Sequence, residues 1–141
     1  MITLYSSASC TSCRKARSWL EDHDIPFTEK NVFTEKITDE ELKAILQLTE
    51  NGTNEIISQR SQAFRELNIN IEEMPLGRVL KLIQQHPGIM RRPILVDNKR
   101  LLVGYNEEDI RCFLPREIRK IELSKLHDQL PVNFLMSKSY R

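Results

Sequence analysis

Two cysteines three positions apart, Cys10-Thr11-Ser12-Cys13, follow a short run of strand character and open a run of helical character. Met1 to Tyr5 is rich in β-branched and aromatic residues, Ser6 to Ser9 supplies small turn residues, and Ala16, Trp19 and Leu20 recur at helical spacing. Cys10 is therefore expected near a helix N-terminus. Unpaired backbone N–H groups and the positive end of the helix dipole favour a thiolate there, and the thiolate is the reactive form of cysteine. Thiols at this spacing close into a small disulfide with little backbone movement. Cys10 is expected to be the exposed, attacking thiol and Cys13 the resolving partner, because the second position already turns inward. Arg14 and Lys15 add positive charge nearby.

The residues alone leave two other readings open. A CxxC is also half of a zinc site, but the remaining candidate ligands, Cys112, His23, His86 and His127, are scattered along the chain. The pair could also be buried and inert, since a free cysteine packs as a small hydrophobe. Cys112 is expected to do that, among Ile110, Phe113 and Leu114.

A chain of 141 residues, 40% hydrophobic and 29% charged, suits one globular domain with a sizeable core. No apolar run approaches the length of a membrane span, and Met1-Ile2-Thr3-Leu4-Tyr5 reads as a strand rather than a signal core. A cytoplasmic location is expected, where reducing conditions make any Cys10–Cys13 disulfide transient. The net charge of +1 provides no general attraction to nucleic acid.

Along the chain, His23-Asp24-Ile25-Pro26 ends the first helix and Phe27 to Val32 reads as a second, parallel strand. Thr38 to Glu41 is a capping box for a helix burying Leu42, Ile45 and Leu46, which ends at Asn51-Gly52 with Gly52 as its C-terminal glycine. Helical pieces are expected around Glu55 to Arg60, with Arg60 on an exposed face, and over Ser61 to Leu67. A further helix starts at Pro75 with Leu76, Val79, Leu80 and Ile83 as its buried stripe and stops at His86-Pro87-Gly88. Pro93 to Val96 and Leu101 to Val103 form a hairpin, and Asn106 caps a helix carrying Ile110, Phe113 and Leu114. A basic helix with Ile118, Ile121 and Leu126 follows, fraying beyond Pro131.

This order predicts an α/β, thioredoxin-like mixed four-stranded sheet with an inserted helical module. Residues 1–33 with 90–123 make the redox domain, 34–89 the insert for partner binding, and 124–141 a partly disordered tail. Pro93, opening the third strand, is expected beside the cysteine helix start and suited to a cis bond. Alternation sends Arg91 and Arg92 opposite ways, with Arg92 facing Cys10. The Arg111, Arg116, Arg119, Lys120 series reads as a solvated face.

The runs Cys10 to Arg17, Asn51-Gly52-Thr53, Glu55 to Ser58 with Arg60, Arg91-Arg92-Pro93-Ile94 and Val103-Gly104-Tyr105-Asn106 together resemble the Spx family. That family is an arsenate-reductase-like branch of the thioredoxin fold, and the similarity runs from Met1 to about Leu123. The resemblance implies a transcription regulator of Gram-positive bacteria that responds to disulfide stress and binds the C-terminal domain of the RNA polymerase α subunit. It implies Cys10 and Cys13 as a redox switch, Gly52 at the polymerase interface, Arg60 in promoter engagement and Arg92, with Pro93, coupled to the disulfide. Promoter DNA is then contacted only within the polymerase complex, and no cofactor, metal or membrane is called for. Proteolysis by ClpXP with an adaptor is also implied, although residues 125–141 depart from the short apolar terminus of the type member. Two enzymatic alternatives stand beside it. Thr11-Ser12 lacks the dipeptides familiar from thiol-disulfide oxidoreductases, and arsenate reduction would use Arg60 and Arg92 as part of an oxyanion site.

Overall fold

In the computed structural model, which describes residues 1–115, a four-stranded mixed sheet has the order β2-β1-β3-β4. Strand β1 (Ile2–Ser6) is central and buried along nearly its whole length. It pairs in parallel with β2 (Phe27–Asn31), Ile2 opposite Phe27 and Ser6 opposite Asn31. On its other side it runs antiparallel to β3 (Ile94–Val96), which turns into β4 (Leu101–Val103) as the expected hairpin. A strand bonded on both edges and packed on both faces is expected to be apolar throughout, and Leu4, Tyr5, Ile94 and Leu95 meet that demand.

Helix α1 (Thr11–Asp22) buries Cys13, Ala16 and Leu20 along one stripe, and Asp24 in the left-handed region turns the chain into β2. Helix α2 (Asp39–Gln47) begins with the capping box foreseen: the Glu41 backbone N–H donates to Thr38 Oγ1, and the Thr38 N–H donates to the Glu41 carboxylate. The same carboxylate accepts from Tyr5 at 2.7 Å and from Lys30 at 2.6 Å, so one side chain ties α2 to two adjacent strands.

Helix α2 stops at Gln47 with Leu48 as its C-cap, several residues before Gly52. Gly52 instead precedes the short α3 (Thr53–Ile56) as its N-cap, with φ 71° and ψ −139°. The reason lies in side chains: Thr49 Oγ1 accepts from the Gly52 N–H, and Glu55 accepts from the Glu50 and Asn51 N–H groups, building a loop where the pattern suggested a simple stop. The chain after Ile56 is not helical. Ile57 bridges Met90, which leaves Arg60 in a turn rather than on a helix face.

Helix α4 (Gln62–Leu67) is capped by Ser61 and α5 (Leu76–Gln85) by Pro75. In α5 Val79, Leu80 and Ile83 are buried, each worth roughly 1.5–3 kcal/mol, whereas Leu76 is 52% exposed. Its place in the first turn carries it beyond the core's edge. After Asn106, whose side chain accepts from the Glu108 and Asp109 N–H groups, a 3₁₀ segment over Asp109–Phe113 replaces the α-helix expected there. Cys112 is half-buried.

Tyr5, Val32, Ile94 and Val96 of the sheet region join Leu42, Ile45, Ile56, Phe64 and Ile83 of the helical segment in one hydrophobic cluster. Met1–Ile110 forms one compact unit, and a second begins at Arg111. The basic helix and fraying tail expected from Arg116 onward lie outside the described residues.

Candidate functional site

Cys10 is the N-cap of α1, in extended conformation, and its sulfur accepts the Cys13 backbone N–H at 3.2 Å. Position and chemistry are linked: the first N–H groups of a helix have no partner within it, and a sulfur at the cap satisfies one. Cys10 is half-buried and Cys13 fully buried, the exposure order expected for attacking and resolving thiols. Burial and the hydrogen bond with Cys10 push the Cys13 thiol up to about 12, against the downward pull of the Ser7 backbone and of the Arg92 guanidinium. Cys13 is thus a thiol at neutral pH.

Beneath the helix, Arg17 makes a bidentate pair with Glu29, and Ser6 donates to the same carboxylate at 2.7 Å. The Arg17 hydrogen bonds hold the Glu29 carboxyl below its ordinary range, although burial opposes this. The bidentate fork joins α1 to β2 across the strand that leads into Cys10.

The Arg92–Pro93 peptide is cis, Pro93 is buried, and the Pro93 carbonyl accepts from the Gly104 N–H at 2.7 Å. The Arg92 guanidinium lies over the Phe33 ring, 4.9 Å from its centroid. Arg91 Nε donates to the Ile57 carbonyl at 3.3 Å. Both arginines, with Cys10, Ser58, Ser61 and Met90, line one cleft of about 380 Å³. Arg91 lines the same cleft as Arg92 and Cys10, while its Nε–H turns to the Ile57 carbonyl and the Arg92 guanidinium to Phe33; regular strand begins only at Ile94, beyond both residues.

Arg60 is exposed and borders a neighbouring hollow with Asn54, Gln59 and Arg91, so the cysteine cleft does not include it. Of the two arginines weighed for an oxyanion site, Arg92 lines the cysteine cleft and Arg60 the neighbouring hollow, and Arg91 lines both. Gly52 is on the surface with open space where a Cβ would project. What joins its segment to the cysteine side is backbone: Ser58 N–H to Ile89 O at 2.8 Å and Arg91 N–H to Ile56 O at 2.7 Å, around the Ile57–Met90 bridge. Sequence reasoning missed this link and gave no site role to Phe33, Ser58 or Ser61; for Phe33 the signal was an unexplained aromatic beside β2. Among the described residues no cluster of three or more His, Cys, Asp or Glu could hold a metal ion, and no helix is long and apolar enough to cross a membrane.

A mixed β2-β1-β3-β4 sheet with a cysteine pair opening the first helix and a cis proline opening the third strand defines an arsenate-reductase-like protein of the thioredoxin fold. The model of the ArsC family matches residues 5–113. In solved structures the fold recurs in an arsenate reductase from Vibrio cholerae, with TM-score 0.72 and 23% identity over 80% of this chain and 97% of that one. It recurs also in a putative ArsC family related protein from Bacteroides fragilis, with TM-score 0.67 and 24% identity over 77% and 92%. Closer in sequence are the global transcriptional regulators Spx of Bacillus subtilis (strain 168) and Enterococcus faecalis, each 59% identical over 87% of this chain and 94% and 93% of theirs. Spx of Listeria monocytogenes is 57% identical over 87% and 94%. The chain belongs to the ArsC family and, within it, to the Spx family of transcriptional regulators.

Proposed function

We propose that this protein is a redox-responsive regulator that docks on the C-terminal domain of the RNA polymerase α subunit, with Cys10 and Cys13 as its switch. The observation that carries the reading is the Cys13 N–H on the Cys10 sulfur, which sets an accessible thiol and a buried one across a single helical turn. A peroxide oxidises Cys10 to a sulfenic acid; Cys13 loses its proton, attacks that sulfur and displaces water, leaving a disulfide. The helix start loses the cap geometry of the reduced state, and Arg92, which acts electrostatically on Cys13, loses an ionisable neighbour.

Oxidation shifts the equilibrium between two arrangements of the polymerase complex, by about 1 to 3 kcal/mol for sites coupled in this way. Gly52, on an open surface, forms the α-subunit contact, and exposed Arg60 engages promoter DNA within that complex. The chain acts in the cytoplasm as a binding protein without catalytic turnover, and ClpXP with an adaptor limits its abundance.

The test is capture of the α C-terminal domain by reduced and oxidised protein, beside an insulin-reduction assay and transcription with Cys10→Ala. Binding in both states, no turnover, and loss of oxidant-dependent activation in Cys10→Ala are expected. Insulin reduction at a thioredoxin-like rate without α-subunit binding would reverse the reading in favour of an oxidoreductase.

A further inference from the structure

The cleft beside Cys10 has a composition that the disulfide switch alone does not require. Arg91 and Arg92 both line it, no carboxylate does, and the other lining groups are neutral: Ser58, Ser61, Met90 and the Val103-Gly104 backbone region. Neither guanidinium has an ion pair among the described residues. Arg91 donates to a carbonyl, and Arg92 rests on the face of Phe33. Two other arginines are neutralised by a carboxylate, Arg17 by Glu29 and Arg100 by Asp97. Two uncompensated cations bordering one cavity with a half-buried sulfur make a positive potential at the point where a reagent must approach.

We propose that this cleft selects the oxidant, admitting low-molecular-weight disulfides that carry carboxylates and binding them through Arg91 and Arg92 while Cys10 attacks. The inference rests on the switch proposed above and names the reagent class for the same thiol. The cavity, about 380 Å³, is large enough for a small disulfide and too small for a folded protein to enter. Guanidinium forks bind carboxylates in two-point fashion, which also orients the disulfide bond toward the sulfur.

The chemistry balances. The Cys10 thiolate attacks one sulfur of R–S–S–R, the S–S bond breaks, and RS⁻ leaves with the bonding pair, giving Cys10–S–S–R. Cys13 gives its proton to the departing thiolate or to water and attacks the Cys10 sulfur, releasing the second RS⁻. Two protein thiols are oxidised to one disulfide, and one small disulfide is reduced to two thiols. The protonated, buried Cys13 keeps the order of attack fixed, because only Cys10 reaches the cleft.

The experiment compares three small disulfides of similar size at neutral pH: the dianion of dithiodipropionic acid, neutral 2-hydroxyethyl disulfide and dicationic cystamine. The rate of Cys10–Cys13 closure with each is divided by its rate with a small model thiol, which removes intrinsic reactivity. The dianion is expected to be favoured over the dication by at least about tenfold at low salt, within the range of electrostatic focusing in a charged cleft, and the preference should collapse in high salt. Arg91→Gln and Arg92→Gln should each reduce it several-fold, Arg92→Lys should restore part, and Cys13→Ser should trap the Cys10 mixed disulfide for mass spectrometry.

Equal normalised rates for the three reagents, or a preference unchanged in the Arg91→Gln/Arg92→Gln double variant, would overturn the proposal. Hydrogen peroxide supplies the separate arm. If peroxide closes the pair while charge preference is absent, the switch stands and this cleft assignment fails. If the preference holds but peroxide never yields the intramolecular disulfide, the cleft assignment stands and the peroxide switch fails.

Discussion

Two helix beginnings in this molecule solve the same problem in opposite ways. Cys10 caps α1 with a sulfur that takes the Cys13 N–H, while Gly52 caps α3 with no side chain at all. The first is anchored by a buried stripe, Cys13, Ala16 and Leu20; the second is a surface turn held by Thr49 and Glu55 side chains on backbone N–H groups. A cap made of sulfur can be oxidised, and in the proposed switch that is how the start of α1 would respond to oxidant. A cap made of glycine leaves open space, and close approach of another backbone becomes possible. In the function proposed above, the two caps would serve sensing and docking, and the short backbone pairing of residues 56–58 with 89–91 is the structural connection between their segments.

The largest effect is expected at the glycine cap. Gly52→Arg should abolish capture of the α C-terminal domain, through bulk and charge on the contact surface. The residue's φ of 71° with ψ of −139° adds a conformational cost of roughly 1–3 kcal/mol for any side chain. Gly52→Ala separates the two contributions: urea melts should show the conformational cost while capture survives. Full capture by Gly52→Arg would break the comparison by removing the docking role from that turn.

The link itself comes next. Ile57 is buried and bridges Met90, so Ile57→Ala should cost about 2–5 kcal/mol in denaturant titration, the range for truncating a core aliphatic. At oxidant levels that activate the parent protein, the folded fraction of this variant should show weakened dependence of transcription on Cys10–Cys13 oxidation. Unchanged dependence would remove the 56–58 and 89–91 pairing from the proposed switch.

Glu41 tests what holds the sheet to α2. Burial raises the pKa of this carboxyl, but hydrogen bonds from Lys30, Tyr5 and the Thr38 backbone outweigh it and hold the group below its ordinary range. Its contribution is therefore present above the unfolded value of about 4.3 and is lost as pH falls through the lower folded value. Glu41→Gln should destabilise by about 1–2 kcal/mol at neutral pH and flatten the acid limb of the stability curve, without altering the rate of disulfide closure.

At neutral pH the smallest ionisation effect belongs to the cysteine end, because its pH dependence lies wholly in alkali. Because the folded state holds Cys13 as a thiol up to about 12, that stabilisation is complete below the unfolded thiol range near 8.5 and declines as pH rises toward the folded value. Cys13→Ala should remove this alkaline slope. In the parent, iodoacetamide at neutral pH should label Cys10 well before Cys13, and the reverse order, read by peptide mass spectrometry, would exchange their roles.

Much of the architecture was legible because its signals are local. The strand before Cys10, the α1 stripe, the Thr38–Glu41 capping box and the Pro93–Val103 hairpin each depend on residues within a few positions of one another. The errors cluster where side chains rewrite the backbone: Thr49 and Glu55 move Gly52 from the end of α2 to the start of α3, and the Met90 bridge draws Ile57 out of a helix. Leu76 continues the periodic stripe of α5 in sequence yet faces solvent, since a stripe gives direction without saying how far the core extends.

By itself the sequence determined the thiol pair at a helix start, the mixed sheet and the family, because periodicity, capping chemistry and motif order are properties of the chain before it folds. Only the tertiary structure decided that Arg91 joins Arg92 beside Cys10, that Arg60 does not, and that Phe33 carries a guanidinium. Those neighbours are brought together from segments far apart in the chain, and their meeting depends on how one shared core packs the sheet against the helices.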